Sequence, residues 1–385
     1  MDRLTSYQIP FNKPIFTGDE IEYIIDAVTS SKQISGNGKY TRLCHDIFTS
    51  KYGIEKCLLT HSCTAALEMA AILLNIKEGD EVIMPSYTFV STANAFILRG
   101  ARIVFVDSRR DHPGIDEDKI EYLVTKRTKA VVVVHYAGVA CNMDKVMALA
   151  DKYNLFVVED AAQAVDSYFT GIDGERKALG SIGHLSAFSF HETKNISCGE
   201  GGMLVINDPQ FIDRAEVIWE KGTNRAAFHR GEVGKYQWVD IGSSFLPSEL
   251  TAAFLYAQLE KIDQIQERRK KIWNSYKELL SDWATSNKVQ LPSIPDYAMN
   301  NAHMFYMVCE NFEQRNKLLD HLKKNKILAV FHYLSLHSSP FYSQKHDGRV
   351  LSQCDHYANS LVRLPLYYDM MESDIRYVAN TIQSI

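Results

Sequence analysis

The chain has 385 residues, of which 46% are hydrophobic and 23% are charged, and its formal net charge is −5 at neutral pH. This composition is typical of globular proteins, and the lack of a basic block argues against nucleic acid as a partner. No apolar run reaches the roughly 18 residues of a membrane span, and the amino terminus lacks the apolar region of a signal peptide. Seven cysteines without regular spacing indicate a reducing compartment, so we expect a cytoplasmic protein.

Helical patterns and short apolar runs alternate along the first half of the chain. Helices are predicted at 18–28, 39–52, 65–74, 90–98, 115–124 and 143–153. Strands are predicted at 57–60, 81–85, 101–107, 130–135 and 156–160. The strand at 130–135 contains four successive valines, which is typical of a strand buried on both faces. This alternation predicts an α/β fold with a mostly parallel central sheet.

The second half continues with a strand that begins near Ser186 and another at 201–207. Residues 222–247 are predicted to be irregular, and long segments of this kind usually carry function. One continuous helical pattern then runs from Ser248 to about Leu280. We expect a large domain at 1–250, followed by this helix and a smaller α+β domain at 251–385.

Polar residues stand at or just beyond the carboxyl ends of predicted strands: Tyr87, Asp160, Ser189 and Lys194. Ligands of parallel sheets bind beyond these ends, so the four residues are expected to share one site. A lysine amine that can form a Schiff base and a carboxylate that keeps a ring nitrogen protonated are the two groups that pyridoxal phosphate (PLP) requires. PLP is therefore the predicted cofactor, with Lys194 and Asp160 as the catalytic residues.

Ser62, Cys63 and Thr64 open the helix predicted at 65–74, and two interpretations of them stay open. Hydroxyl groups at a helix start are good caps, and a helix start with free N–H groups is also a ready phosphate site. His332 and His337 are of a type that binds metals, but no metal-binding motif accompanies them. No metal is expected.

Four motifs together resemble the DegT/StrS family of PLP-dependent sugar aminotransferases. They are Glu159-Asp160-Ala161-Ala162-Gln163, Ser189-Phe190-His191-Glu192-Thr193-Lys194-Asn195, Gly199-Glu200-Gly201-Gly202 and Leu364-Pro365-Leu366-Tyr367. Segments 85–96, 135–141 and 301–306 resemble, within that family, the transaminases that form dTDP-4-amino-4,6-dideoxygalactose. The resemblance covers nearly the whole chain. It implies the aspartate aminotransferase-like fold, PLP-dependent transferase fold type I, and a homodimer with active sites at the interface.

The resemblance also implies roles around the cofactor. Lys194 would bind PLP covalently, and Asp160 would pair with the protonated ring nitrogen. Tyr87 would stack on the ring, and Gln163 would lie beside it. The phosphate would be bound by Ser62, Cys63, Thr64 and Ser189.

Further roles concern the substrate and the partner subunit. Ser244 stands where many relatives carry an asparagine that reaches the partner's cofactor phosphate, so a contact by Ser244 across the interface is expected. The sugar-nucleotide contacts are expected from Asn224, Arg225, His332, Tyr333 and His337.

The implied reaction moves an amino group from L-glutamate to C4 of dTDP-4-keto-6-deoxy-D-glucose. The product would be dTDP-4-amino-4,6-dideoxygalactose, for a cell-surface polysaccharide such as O-antigen; the epimeric 4-amino-glucose product stays an alternative. Lys194 disfavours a dehydratase on the same fold, which would carry histidine there, and the complete set of site residues disfavours a non-catalytic regulator. A nicotinamide oxidoreductase is disfavoured because the glycines at 199–202 precede a strand instead of a helix.

Overall fold

The computed structural model describes residues 7–385 of the chain. Its helices are α1 (Glu20–Thr29), α2 (Lys39–Tyr52), α3 (Cys63–Leu73), α4 (Val90–Ile97), α5 (Met143–Tyr153), α6 (Ile212–Trp219), α7 (Arg225–His229), α8 (Glu249–Glu260), α9 (Ile262–Ser286), α10 (Phe312–Lys324), α11 (Ser352–Ser360) and α12 (Glu372–Gln383). Its strands are β1 (Lys56–Thr60), β2 (Glu81–Pro85), β3 (Arg102–Val106), β4 (Thr128–Val134), β5 (Phe156–Asp160), β6 (Tyr168–Thr170), β7 (Arg176–Ala178), β8 (Leu185–Ser189), β9 (Gly202–Ile206), β10 (Ala298–Met299), β11 (Tyr306–Val308), β12 (Val330–Phe331) and β13 (Leu361–Arg363). No helix within residues 7–385 is both long and apolar enough to cross a membrane.

A seven-stranded sheet forms the centre of the larger unit, in the order β1-β9-β8-β5-β4-β2-β3. The strands from β8 to β3 in this order run parallel, whereas β9 is antiparallel to both β8 and β1. The two faces pack against different apolar cores, because Val132 belongs to one core and Val131 and Val133 belong to the other. This explains the valine run, and the predicted α/β class with a mostly parallel central sheet is confirmed.

The strand order brings several chain segments to one edge of the sheet. Val134 at the end of β4 lies beside Asp160 at the end of β5, and the parallel β8 ends at the same edge. Because β9 is antiparallel, its first residue, Gly202, pairs with the last residues of β8 and β1, Ser189 and Thr60. The loops and helix starts that follow β1, β4, β5 and β8 therefore meet at this edge.

Three predicted elements differ from the structure. The helix expected at 115–124 is a pair of short 3-10 turns. The buried Glu117 in the first turn accepts a hydrogen bond from Asn142 N at 2.6 Å and forms an ion pair with Arg109 at 3.1 Å. The single helix expected from Ser248 breaks at Lys261, because α8 packs against α1 and α2 while α9 continues to the smaller unit. The segment at 222–247 contains the short helix α7.

The smaller unit is built around the antiparallel sheet β11-β13-β12, against which α10 and α11 pack. Its own apolar core includes Ile272, Phe305 and Val362. Apolar side chains of α8 and of α9 as far as Ile265 pack with the larger unit instead. The boundary predicted at residue 251 stays a prediction, and the change in packing partner falls further along, between Ile265 and Ile272.

Candidate active site

A cavity of about 590 Å³ opens at the sheet edge where β4, β5 and β8 end. Its walls come from both units, since Arg363 at the end of β13 faces the strand ends of the larger unit. The predicted site residues that the structure brings together here are Ser62, Cys63, Thr64, Asp160, Gln163, Ser189, Lys194, His332 and Tyr333.

Lys194 stands on a closed loop between β8 and β9. Phe190 N donates to Gly201 O at 2.8 Å, and Glu192 N donates to Gly199 O at 2.9 Å. Gly199 has a φ of +82°, a left-handed conformation that glycine adopts without strain. The surrounding protein shields the lysine, and this burial lowers the pKa of Lys194 to about 8. A fraction of its amine is therefore neutral near neutral pH, as a nucleophile or a proton acceptor requires.

The buried Asn195 anchors the backbone beside the lysine. Its Nδ2 donates to Gln266 Oε1 and to Asn301 O, both at 2.8 Å, and its Oδ1 bonds to His303 Nδ1 at 2.9 Å. These partners lie in α9 and in the segment before β11. The position of Lys194 is therefore held from outside its own loop.

Asp160 ends β5 and faces the same cavity. Its Oδ2 accepts a hydrogen bond from Thr92 Oγ1 at 2.7 Å, and its Oδ1 accepts one from Ala162 N at 3.2 Å. Burial raises the pKa of Asp160, although these hydrogen bonds and the charge of Lys194 offset part of the rise. A carboxylate in such a place is stabilised by any cationic group that enters the cavity, including a protonated ring nitrogen.

Ser62, Cys63 and Thr64 lie at the start of α3 and line the cavity, and the capping role expected of Ser62 is present. Ser62 Oγ accepts a hydrogen bond from Ala65 N at 3.1 Å, and Thr64 Oγ1 donates to Ser91 Oγ at 2.8 Å. Burial raises the pKa of the Cys63 thiol well above its ordinary value, so the thiol stays protonated. The start of α3 directs its free N–H groups and its dipole toward the cavity, an arrangement that suits a phosphate.

Tyr87 lies outside the cavity, so the prediction that it stacks on a cofactor ring is wrong. Its side chain is fully buried, and its hydroxyl donates to the carbonyl oxygen of His332 at 2.6 Å. Its ring packs against Tyr136 and Tyr357. The aromatic side chains that do line the cavity are Phe89, two residues later, and Tyr333.

Gln163 lines the cavity and holds two of its walls together. Its Oε1 accepts a hydrogen bond from Ala137 N at 2.6 Å, and its Nε2 donates to the hydroxyl of Tyr333 at 3.1 Å. The amide thereby joins the turn after β4 to the segment after β12, and it orients the Tyr333 ring.

The two histidines expected at the substrate have different surroundings. His332 lines the cavity, where its Nδ1 bonds to the Tyr136 hydroxyl at 2.7 Å and burial lowers its pKa well below the ordinary value. His337 does not line it. Its Nδ1 bonds to Ser86 Oγ at 2.8 Å and its Nε2 approaches Asp355 at 3.6 Å, so the predicted contact of His337 with substrate is wrong within this chain.

Asn224, Arg225 and Ser244 do not line this cavity within one chain, and the expected contact of Asn224 and Arg225 with substrate stays a prediction. Asn224 Oδ1 accepts a hydrogen bond from Gln237 N at 2.7 Å, and Arg225 approaches Glu220 at 3.8 Å. Arg225 and Ser244 line a separate surface hollow of about 750 Å³. The contact of Ser244 with a partner subunit stays a prediction.

Sequence reasoning gave no role to several residues that line the cavity, among them Phe89, Thr92, His303 and Arg363. Phe89, Thr92 and His303 lie inside motifs on which the resemblance rests, and Arg363 directly precedes another. Their position in or beside these motifs was the one sequence feature that could have indicated a role at the site. A threonine in the first turn of α4 or an arginine at a strand end does not by itself indicate a binding site.

The model of the DegT/DnrJ/EryC1/StrS aminotransferase family matches residues 16–383. An uncharacterized protein of Methanocaldococcus jannaschii, MJ1066, is 30% identical over 389 residues, which cover 99% of this chain and 98% of that protein. Two similar structures are the aminotransferase TlmJ from Streptoalloteichus hindustanus (26% identity, TM-score 0.88) and S. venezuelae DesV in complex with a ketimine intermediate (27%, 0.87), each with 98% of both chains covered. These neighbours and the mostly parallel sheet confirm the expected fold type I. The chain belongs to the DegT/DnrJ/EryC1/StrS aminotransferase family.

Proposed function

We propose that this chain is a PLP-dependent aminotransferase acting on a nucleotide sugar in the cytoplasm. It transfers the amino group of L-glutamate to C4 of dTDP-4-keto-6-deoxy-D-glucose and forms dTDP-4-amino-4,6-dideoxygalactose for a cell-surface polysaccharide. The observation that carries the proposal is the presence of Lys194, Asp160 and the start of α3 on one cavity. The family to which the chain belongs supports the amino-transfer chemistry.

The residues of the cavity fit PLP in charge and in hydrogen bonding. The N–H groups and hydroxyls of Ser62, Thr64 and Ser189 suit its phosphate, and the buried carboxylate of Asp160 suits a protonated ring nitrogen. The amine of Lys194 suits its aldehyde carbon. When bound, PLP supplies an electron sink for the carbon that loses a proton.

The protein's own contribution is proton transfer and positioning. Lys194, with a pKa near 8, would move a proton from the α-carbon of the amino donor to the carbon of bound PLP that receives the amino group, and in the second half-reaction it would move a proton from that carbon to C4 of the sugar. Thr92 and Ala162 orient the Asp160 carboxylate through the two hydrogen bonds described above. Gln163 and Tyr333 form a wall that fixes where the substrate carbon can lie.

The sugar is proposed to bind beside His332 and Tyr333. Burial keeps the imidazole of His332 neutral, and its bond to Tyr136 fixes the ring, so this wall offers polar groups without adding charge. The face of the sugar that receives the proton decides between the galacto and gluco products. We propose the galacto product on the resemblance of residues 85–96, 135–141 and 301–306.

A homodimer is part of the proposal. The resemblance to the DegT/StrS family implies a homodimer with active sites at the subunit interface. Ser244 would then contact the partner subunit's cofactor phosphate. Light scattering of the purified protein should give a mass near twice the 43.8 kDa of one chain, and a mass of one chain would contradict the dimer.

The substrate assignment is tested by incubating the holoenzyme with dTDP-4-keto-6-deoxyglucose and L-glutamate. NMR coupling constants of the product give the configuration at C4. An axial amino group supports the galacto product, and an equatorial one supports the 4-amino-glucose alternative. A protein that binds PLP but aminates neither this sugar nor other keto sugars contradicts the proposal.

A further inference from the structure

Arg363 is a shielded cation at the cavity without an anionic partner among residues 7–385. Its side chain lines the cavity, and its Nε is enclosed without a hydrogen-bond partner. Within residues 7–385 it forms no ion pair. Its guanidinium carbon lies 4.7 Å from the centre of the Phe11 ring, which is a cation–π contact. Arginine stays charged in proteins, and a buried charge without a partner destabilises the fold.

Other buried arginines of the same region are satisfied by the fold. Arg269 donates to the carbonyl oxygens of Ala302 and His303 at 3.2 and 2.7 Å. Arg315 donates to the carbonyl oxygen of Ala358 at 3.2 Å. The lack of such partners at Arg363 is therefore a property of its position on the cavity.

The groups around Arg363 do not neutralise it. Asp160 already accepts hydrogen bonds from Thr92 and Ala162. Burial lowers the pKa of both His303 and His332 well below the ordinary value, so neither ring carries charge at neutral pH. The nearby tyrosine hydroxyls of Tyr87, Tyr136 and Tyr333 stay protonated, because burial raises the pKa of each. This wall of the cavity therefore carries a net positive charge.

The position of Arg363 favours a small anion. It comes from the smaller unit, whereas the phosphate-binding residues Ser62 and Thr64 come from the larger one, so the two anion sites lie on different walls. Beyond Arg363 lies only a narrow hollow of about 10 Å³, bordered by Phe11 and Leu366. That space does not admit a nucleotide.

We propose that Arg363 binds a carboxylate of the amino donor, L-glutamate, while the α-carbon of the donor lies at Lys194. A guanidinium presents two parallel N–H donors that match the two oxygens of a carboxylate. The donor enters with its anion paired and leaves as 2-oxoglutarate, so the same arginine serves both directions of the half-reaction. The keto sugar has no carboxylate and does not use this contact. This inference rests on the proposed amino-transfer function.

The test compares Arg363→Gln and Arg363→Lys with Arg315→Gln, a matched change of a buried arginine of the smaller unit that lies outside the cavity. In the holoenzyme, the reaction with L-glutamate is followed by the loss of visible absorbance at about 400–430 nm. Arg363→Gln should lower kcat/KM for L-glutamate roughly 100-fold, mainly through KM. Arg363→Lys should restore part of the loss, and Arg315→Gln should leave KM unchanged.

Binding without turnover gives a second readout. Calorimetric titration with glutarate, an unreactive dicarboxylate, should give a Kd at least about tenfold weaker for Arg363→Gln, with no difference for the uncharged glutaramide. An unchanged KM for L-glutamate and an unchanged glutarate Kd in a folded Arg363→Gln variant would overturn the proposal. An equal loss in the half-reaction with the keto sugar would also overturn it, because the arginine would then act on the whole site.

Failure of this inference is distinguishable from failure of the proposed function. If the unaltered holoenzyme does not react with L-glutamate at all, the proposed donor is wrong. If the unaltered protein reacts and Arg363→Gln reacts equally well, only the role of Arg363 is wrong.

Discussion

Glu159 and Asp160 are adjacent carboxylates on β5, yet they face opposite sides of the sheet and have opposite surroundings. Glu159 accepts hydrogen bonds from the amides of Gly180, Ile182 and Gly183 at 2.6–2.8 Å, and it pairs with His135 at 2.8 Å. Burial opposes its ionisation, but these donors outweigh burial and lower the pKa of Glu159. Asp160 has two donors, and burial raises its pKa.

The difference teaches how one fold assigns two neighbouring acids to two tasks. On the side of the sheet opposite the cavity, backbone amides donate hydrogen bonds to the Glu159 carboxylate. Glu159 thereby joins the loop at 180–183 to the sheet. On the cavity face, burial raises the pKa of Asp160 and lowers that of Lys194, and Arg363 Nε has no hydrogen-bond partner among residues 7–385. Burial of these charged groups costs stability and leaves them ready to pair with a ligand.

The largest effect is expected on the cavity face, from Lys194→Ala. The variant loses both the nucleophile and the proton carrier, so kcat should fall by about 10⁴-fold or more, and the visible absorbance of the lysine-bound cofactor should vanish. Absorbance and steady-state turnover measure the two losses. Lys271→Ala, at an exposed lysine paired with Glu267, should change neither. Retention of both the absorbance and the turnover in Lys194→Ala would refute the assignment.

Asp160→Asn should separate activity from stability. Loss of the charge opposite the ring nitrogen should lower kcat roughly 10²–10³-fold. The cofactor-free variant should be at least as stable as the unaltered protein at neutral pH. The raised pKa means that the native carboxyl binds more protons than the unfolded one, so its contribution to the free energy of unfolding falls as pH rises above about 4. Urea unfolding at pH 4 and pH 7 tests the sign, and a marked loss of stability at pH 7 would contradict it.

Glu159→Gln should show the reverse pattern on the opposite face. An amide group cannot accept from three backbone donors and one histidine as a carboxylate does, so the free energy of unfolding should fall by about 3 kcal/mol at neutral pH. The lowered pKa of Glu159 means that its stabilisation is present above the unfolded value near 4.3 and is lost as pH falls through the native value. The gap between the two proteins should therefore close in acid. A gap that stays constant from pH 7 to pH 3 would exclude this origin.

The smallest effect is expected from Tyr87→Phe, just beyond the end of β2. The change removes one hydrogen bond to the carbonyl oxygen of His332 and should lower the free energy of unfolding by about 1 kcal/mol. PLP affinity, measured by fluorescence titration, should not change, because the ring lies outside the cavity. Phe89→Leu, at an aromatic that does line the cavity, is the comparison. Weaker PLP binding in Tyr87→Phe than in Phe89→Leu would show that Tyr87, and not Phe89, contacts the cofactor.

Much of the site was predictable because parallel strands end at one edge of a sheet. Asp160, Ser189 and Lys194 follow strand ends in the sequence, and any parallel pairing of those strands brings them together. The start of α3 joined them because β1 pairs with β9 and β9 pairs with β8. Because β9 is antiparallel to both strands, β1 and β8 run in the same direction and end at the same edge of the sheet.

Errors arose where the direction of a side chain depends on distant packing. Tyr87 also follows a strand end, but its hydroxyl donates a hydrogen bond to the carbonyl oxygen of His332, 245 residues away, and its ring faces the interior. His337 is held in the same way by Ser86, 251 residues away. Local pattern does not encode such contacts.

The amino-acid sequence by itself determined the α/β class, the chemistry of the strand ends and the loop that presents Lys194, because these follow from periodicity and from short-range turn geometry. Only the tertiary structure decided which face of β5 lines the cavity, that Tyr87 and His337 pack away from it, and that Arg363 stands on its wall. The physical reason is that the two-residue period of a strand predicts only that adjacent side chains point to opposite faces of the sheet. The residues that pack against each face come from remote parts of the chain.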